Sequence, residues 1–310
     1  MFKDAFKNRK VLITGHTGFK GSWLAIWLKE LGAGVIGYSL APPSEPNNFE
    51  ATRLREKITH IHGDIRDLDK LMGTFKKYQP EFVFHLAAQP LVRLSYDEPK
   101  LTFDTNVGGT VNVFEAVRKT PSVKVLVNIT SDKCYENREW VWGYRENDPM
   151  GGHDPYSASK GCAELVFNAY LKSFFSQGAA QNRAIGAALW QDPKKYSGPW
   201  NFGPDDGSHL TAAEMADRLI KYWGDGSWED LSAPQALHEA KLLKLCCDKA
   251  HAELYWYSAL TIDECLQMTA DWYKMFYEVS SHESTYKFCT KQIAGYIERA
   301  KKRNLIWTDK

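Results

Sequence analysis

A chain of 310 residues, 44% hydrophobic and 25% charged, has the composition of an ordinary globular protein, with room for one large domain or a domain plus a smaller lobe. Its net charge of +1 gives no electrostatic case for nucleic acid or an anionic membrane surface, and no apolar run approaches the ~18 residues of a membrane span. The start "MFKDAFKNRK" is charged and lacks a signal-peptide core, so a cytoplasmic protein with free thiols is expected. The six cysteines show no C-x-x-C spacing and the nine histidines no H-E-x-x-H cluster, so no metal is expected.

In chain order, "KVLIT" (10–14) reads as a buried strand that runs straight into glycines. "FKGSWLAIWLKEL" follows, with Trp23, Leu24, Trp27, Leu28 and Leu31 on one helical face. "GVIGYSL", "ITHIHG", "EFVFHLA" and "VKVLVNITS" read as further strands, and His60 and His62 alternate on the second of these as a structural or surface pair. "DLDKLMGTFKKY" and the long "TFDTNVGGTVNVFEAVRK" read as the helices between them. Such alternation predicts an α/β fold: a Rossmann-like, doubly wound parallel sheet with helices on both faces.

After Ile185 the pattern changes to a short segment rich in proline and glycine, then a helix near Thr211 to Trp223. Residues 237–254 read as a strand then a helix, and "TIDECLQMTADWYKMF" as another helix, with Trp272 and Phe276 as core residues. The expected division is 1–187 as a dinucleotide-binding domain that also carries the catalytic residues. Residues 188–310 form a smaller α/β lobe for substrate.

"TGHTGFKG" spaces Gly15, Gly18 and Gly21 as G-x-x-G-x-x-G between a strand and a helix. A pyrophosphate needs close backbone approach and unpaired helix N–H groups, which side chains on the loop would obstruct. Ser39 stands where an acidic ribose partner is usual, so this position alone does not choose between NAD and NADP. Asp64 is a candidate for the adenine amino group; a helix cap or turn aspartate is the alternative.

Tyr156 and Lys160 lie four apart in "DPYSASKGCAEL", where Asp154 can cap a helix and Pro155 fits its first turn. An ammonium close to a phenol favours the phenolate, making Tyr156 a base for a sugar alcohol. "YDEPK" (96–100) has the same spacing, but Pro99 argues against a helix through it. Ser131 ends the fifth strand. Glycine loop, strand-end hydroxyl and helical Tyr/Lys together resemble the extended branch of the short-chain dehydrogenase/reductase superfamily over roughly residues 10–170. That resemblance implies a dinucleotide lined by Gly15, Thr17, Gly18, Phe19, Gly21, Asp64, Ile65, Ala87, Ala88, Gln89, Asn106, Tyr156 and Lys160, the last of which holds the nicotinamide ribose.

Ser131, Tyr156 and Lys160 serve an epimerase, a reductase or a dehydratase equally well. Removing water from a hexose also needs an acid for the 6-hydroxyl and a base for the carbon-5 proton, and Asp132 and Lys133 supply an acid and an amine; a salt bridge or a capping aspartate is the alternative. "TGHTGFKGSWLAIWL", "HLAAQPLVRLSY", "NITSDKCYENREWVWGYREN" and "DPYSASKGCAELV" closely resemble the CDP-glucose 4,6-dehydratase family. The resemblance implies NAD as cofactor and CDP-glucose as substrate, with Tyr156 as base and Ser131 on the forming ketone. It gives Asp132 as acid, Lys133 as carbon-5 base, and a homo-oligomer (dimer or tetramer) through helices including that of Tyr156. The product would be a precursor of dideoxy sugars in surface polysaccharides.

Trp140, Trp142 and Tyr144 alternate as in a strand or hairpin. Arg93, Arg138 and Arg145 can face a diphosphate or pack on the surface, and Arg93 is the chosen substrate residue. Against the family pattern a contiguous block is missing between about Gly186 and Leu189, so the substrate lobe is truncated. Weakened CDP-glucose binding with NAD binding intact is expected. An impaired NAD-binding remnant or interaction protein is the competing reading, and another nucleotide-sugar epimerase or reductase the third.

Overall fold

A computed structural model describes residues 2–175, 192–204, 210–231, 242–278 and 282–308. Five parallel strands, β1 (Lys10–Thr14), β2 (Gly34–Ser39), β3 (Thr59–His62), β4 (Phe82–His85) and β5 (Val125–Asn128), form one sheet in the order β3-β2-β1-β4-β5. All five lie within the stretches expected to be strands. The order reverses between β1 and β4, where Thr14 is in register with both Tyr38 and His85. At such a switch point the connections leave in opposite directions and open a crevice beyond the strand ends.

The first half carries helices α1 (Phe19–Glu30), α2 (Asn48–Ala51), α3 (Leu54–Lys57), α4 (Leu68–Tyr78), α5 (Val92–Asp97), α6 (Pro99–Phe103), α7 (Gly109–Arg118) and α8 (Pro155–Tyr170). Strand periodicity divides the core between the two faces of the sheet. Val11, Ile13, Val125 and Val127 point into one cluster, whereas Leu12, Val83 and Leu126 point into another with Phe114 and Phe167.

The helix expected over 102–119 is interrupted. Asp104–Gly108 forms a π-turn between α6 and α7, and Asn106 on it is buried. Gly109 then starts α7 where a Cβ would lie 2.4 Å from Cδ1 of Ile65, so the glycine leaves room for the Ile65 side chain from the third strand's exit loop. α5 stops at Asp97 and a new helix starts with Pro99 at its first turn, so no helix runs through the "YDEPK" decoy.

Helices Ile262–Glu278 and His282–Lys302 cover α1 and share its core through Trp272, Met275, Tyr286, Cys289 and Ile293. Trp272 stacks on Phe276 and donates its indole N–H to Asn48 Oδ1 at 3.1 Å, which fits the expected packing role. Two expectations need correction. Among the described part of 237–254 there is no strand, only an isolated bridge from Leu245 to Tyr144 before the helix Asp248–Leu254; the remainder lies outside the described residues. The Trp140–Tyr144 alternation forms no strand either. Tyr144 stacks on Tyr135 at 5.4 Å and Trp140 stacks on Tyr144, while Trp142 is exposed, so ring packing replaces a ladder. The two ends of this connection are joined by the antiparallel bridge Tyr135 to Met150. The candidate break between Gly186 and Leu189 also lies outside the described residues.

Candidate active site

The glycine loop leaves β1 at Gly15, whose φ of 77° suits a residue without a Cβ. A Cβ on Gly15 would lie 2.8 Å from the Ala87 backbone nitrogen, and one on Gly21 would lie 2.2 Å from the Gly15 carbonyl oxygen. Loop, helix and β4 exit therefore touch backbone to backbone. Gly18 begins α1 with no capping side chain, whereas α4 and α8 are capped by Asp67 and Asp154. The first N–H groups of α1 stay available to an anion. A cradle whose glycines meet backbone and whose helix lacks a side-chain cap fits a dinucleotide pyrophosphate.

Buried hydrogen bonds fix the floor of the crevice. His85 Nδ1 lies 2.7 Å from the Thr14 hydroxyl, and its Nε2 lies 3.1 Å from the Thr110 hydroxyl. Thr110 gives its one hydroxyl proton to the Asn106 carbonyl, so His85 must donate from Nε2 and accept at Nδ1. Burial pushes the His85 pKa down to about 3, with the Lys160 charge adding to the effect, and the ring stays neutral.

Gln89 and Asn106 form a clamp. The Asn106 amide accepts from the Gln89 N–H at 2.8 Å and donates to the Gln89 carbonyl and to Ser159 Oγ on α8. The Asn106 side chain locks β4's exit to the helix of Tyr156, while the Gln89 side chain donates to the Leu91 carbonyl and to Thr102 Oγ1 on α6, so both support the crevice wall. Ile65 is buried against Gly109. Thr17 donates to the Leu40 carbonyl, so the Ser39 hydroxyl donates to Thr17 at 2.8 Å. Asp64 is held by Arg66 through both carboxylate oxygens, and that guanidinium keeps its carboxyl below the usual carboxylate range. Neither of the two readings of Asp64 from sequence included this pair.

Two residues next to the cradle were missed. His16 is buried, its Nε2 lies 2.8 Å from His60 Nδ1, and burial with the His60 charge holds it at about 3. Its ring occupies the space of a Cβ on Gly37, which explains a glycine inside β2. Lys20 reaches the wall of the catalytic cavity, a position its place inside the glycine motif did not reveal.

That cavity, of about 660 Å³, opens beyond β5 and is lined by Ser131, Asp132, Tyr156 and Glu164, with Gly198–Pro204 and 243–245 opposite. Asn201 seats the far wall, accepting from the Tyr135 hydroxyl at 2.8 Å and donating to the Tyr144 carbonyl. Ser131 Oγ donates to Asp132 Oδ1 at 2.9 Å and is hydrogen-bonded to the Tyr156 phenol. Asp154 caps α8 through the Ser157 N–H, and Lys160 Nζ lies 5.8 Å from the Tyr156 ring centroid. The helical Tyr/Lys pair meets Ser131, which does not end the strand as expected but lies three residues beyond β5 and caps the turn Asp132–Cys134.

The electrostatics differ from the sequence expectation. Burial raises the Tyr156 phenol above its ordinary range; the Ser131 hydrogen bond opposes this, and Asp132, Asp154 and Cys134 add to it. Burial also lowers Lys160 to about 8, against the pull of Glu164. Desolvation therefore outweighs the stabilised phenolate expected from the lysine. Lys133 follows Asp132 on the turn Asp132–Cys134, but its side chain is not on the cavity wall. Arg93 is exposed on α5 and is likewise absent from the wall.

The model of one family, GDP-mannose 4,6 dehydratase, matches residues 12–179, which contain the cradle, the clamp, Ser131 and the Tyr/Lys helix. The chain belongs to this family. A CDP-glucose 4,6-dehydratase of Salmonella typhimurium is 40% identical over 331 residues, covering 88% of this chain and 92% of that protein. Because 88% of 310 residues is shorter than 331, the alignment passes over residues that the relative has and this chain lacks. Two solved structures share the fold. A UDP-glucose 4-epimerase from Stenotrophomonas maltophila with bound NAD has a TM-score of 0.71 at 16% identity, covering 87% of this chain and 99% of that one. A dTDP-glucose 4,6-dehydratase from Bacillus anthracis in complex with NAD has a TM-score of 0.65 at 19% identity, covering 86% and 96%. At those identities the family's sheet order and crevice are what the likeness conveys.

Proposed function

We propose that the chain is a lyase converting CDP-D-glucose to CDP-4-dehydro-6-deoxy-D-glucose, with NAD in the glycine cradle. The observation that carries this is the Ser131 hydroxyl, joined to the phenol of Tyr156 on one side and the carboxyl of Asp132 on the other at the wall of one cavity. An epimerase or reductase, which expels no hydroxyl, has no use for the Asp132 carboxyl as an acid. The 40% identity to a CDP-glucose 4,6-dehydratase supports the same choice.

Gly15, Thr17, Gly18, Phe19 and Gly21 would hold the pyrophosphate, Asp64 and Ile65 the adenine end, and Ala87, Ala88, Gln89 and Asn106 the inner wall. Tyr156 and Lys160 would hold the nicotinamide ribose. When bound, NAD would supply the redox chemistry needed for an oxidation at carbon 4 and a matching reduction at carbon 6. Tyr156 takes the proton of the 4-hydroxyl, and Ser131 turns its one hydroxyl proton from Asp132 to the oxygen as it becomes a ketone. The ketone acidifies carbon 5, whose proton goes to Lys133. Asp132 protonates the 6-hydroxyl, which leaves as water. Lys133 then returns its proton to carbon 5.

Protons balance in a way that explains the serine. Each turnover leaves Tyr156 one proton richer and Asp132 one poorer. Ser131, hydrogen-bonded to both, is the path by which the acid and the base are reset without solvent.

Purified protein incubated with NAD and CDP-, UDP-, GDP- or dTDP-glucose tests the assignment. A keto-deoxy sugar, detected by its absorbance in alkali and its mass, is expected from CDP-glucose. Absence of that product from all four sugars overturns the reading.

A further inference from the structure

Glu164 stands one helical turn beyond Lys160 and two beyond Tyr156 on α8, so all three side chains share a face. Its Oε1 accepts a hydrogen bond from the hydroxyl of Thr130, just past the end of β5. The carboxyl is on the wall of the same cavity as Ser131, Asp132 and Tyr156. Lys160, sunk between α8 and the sheet, has other ionisable neighbours: His85 from β4, Cys134 from the turn after β5, and Lys20 from α1. His85 is neutral, burial pushes the Cys134 thiol up to about 12, and Lys20 is a like charge. Glu164 is thus the carboxylate among these neighbours that favours the ammonium.

We propose that Glu164, held by Thr130, is a positioning residue that keeps Lys160 charged and so sets the pH at which Tyr156 works. The inference rests on the catalytic reading of Tyr156 and Lys160 above. Two opposed tendencies agree with it. Burial pulls Lys160 down to about 8, and Glu164 is the largest influence in the other direction. Burial raises Glu164, while the Thr130 hydrogen bond and the Lys160 charge hold it down. Each partner stabilises the ionised form of the other in a desolvated setting.

The test begins without cofactor or substrate. Protein carrying ¹³C-labelled lysine is titrated by NMR, with Lys160 assigned by Lys160→Arg. In Glu164→Gln the Lys160 midpoint is expected to fall by about one pH unit, the usual effect of losing one close opposite charge. Thr130→Val, which removes only the hydrogen bond, is expected to move it a shorter way in the same direction. Phenolate absorbance should place the Tyr156 midpoint higher in both variants. Under turnover, the alkaline limb of the kcat profile should move to lower pH. A Lys160 midpoint that stays in place in both variants overturns the proposal. A midpoint that moves in protein inactive on every nucleotide sugar supports the positioning role and removes the sugar assignment instead.

Discussion

The Ser131 hydroxyl donates to Asp132 Oδ1 at 2.9 Å while sharing a hydrogen bond with the Tyr156 phenol, so two adjacent residues on the turn after β5 link a helix-borne base to an acid. In Ser131→Ala this link and the ketone's donor are both lost. A fall of about 10²-fold in kcat is expected, typical of removing one oxyanion donor. If Ser131 also resets the protons, the variant's steady-state rate should rise with imidazole concentration while wild type stays flat. A variant equally indifferent to buffer would leave only the ketone contact.

Lys133 tests the base. Its side chain is off the cavity wall, so as carbon-5 base it must reach in when the sugar binds. In Lys133→Ala, oxidation at carbon 4 should proceed and elimination stop, so nicotinamide absorbance should rise and persist on adding CDP-glucose. Unchanged product formation would assign the base elsewhere.

Loss of nucleotide contacts is the consequence to test for the residues that the relative has and this chain lacks. Isothermal titration should detect NAD binding readily but CDP-glucose only in the millimolar range, a loss of about 4 kcal/mol relative to a micromolar site. Micromolar affinity for CDP-glucose would mean that the remaining wall, including Gly198–Pro204, suffices.

Acid should unfold the protein early. His16 and His85 are both held at about 3 against an ordinary 6.5, so between those values the unfolded chain binds more protons than the folded one. Stability from these rings is fully present above pH 6.5 and is lost as pH falls towards 3. Urea midpoints measured from pH 7 to pH 4 should decline, and the decline should be shallower in His85→Gln. Flat midpoints would show that the rings protonate without cost.

Leu165 lies on α8, 60% exposed, beside the catalytic residues of the same helix. If protomers pair through this helix, Leu165→Glu should shift the protein to monomers in sedimentation, because a carboxylate would be buried without a partner. An unchanged oligomer would place the interface elsewhere.

Strand positions, the glycine cradle and the Tyr/Lys helix were legible in the sequence because their signals are local. Period-two hydrophobicity, glycines between a strand and a helix, and Asp154-Pro155 at a helix start each act within a few residues. Pairings between distant residues were not legible. The His85 network joins residues from Thr14 to Thr110, and the His16 ring over Gly37 joins a loop to a neighbouring strand. Glu164 gave one signal, its four-residue step from Lys160, but not its meeting with Thr130, which depends on how α8 lies across β5. Charge state followed the same division. Sequence placed an ammonium near a phenol, and only packing decided that desolvation raises one and lowers the other. Local backbone preference thus wrote the elements and the reactive groups, and burial, which no short stretch encodes, set their partners and their protons.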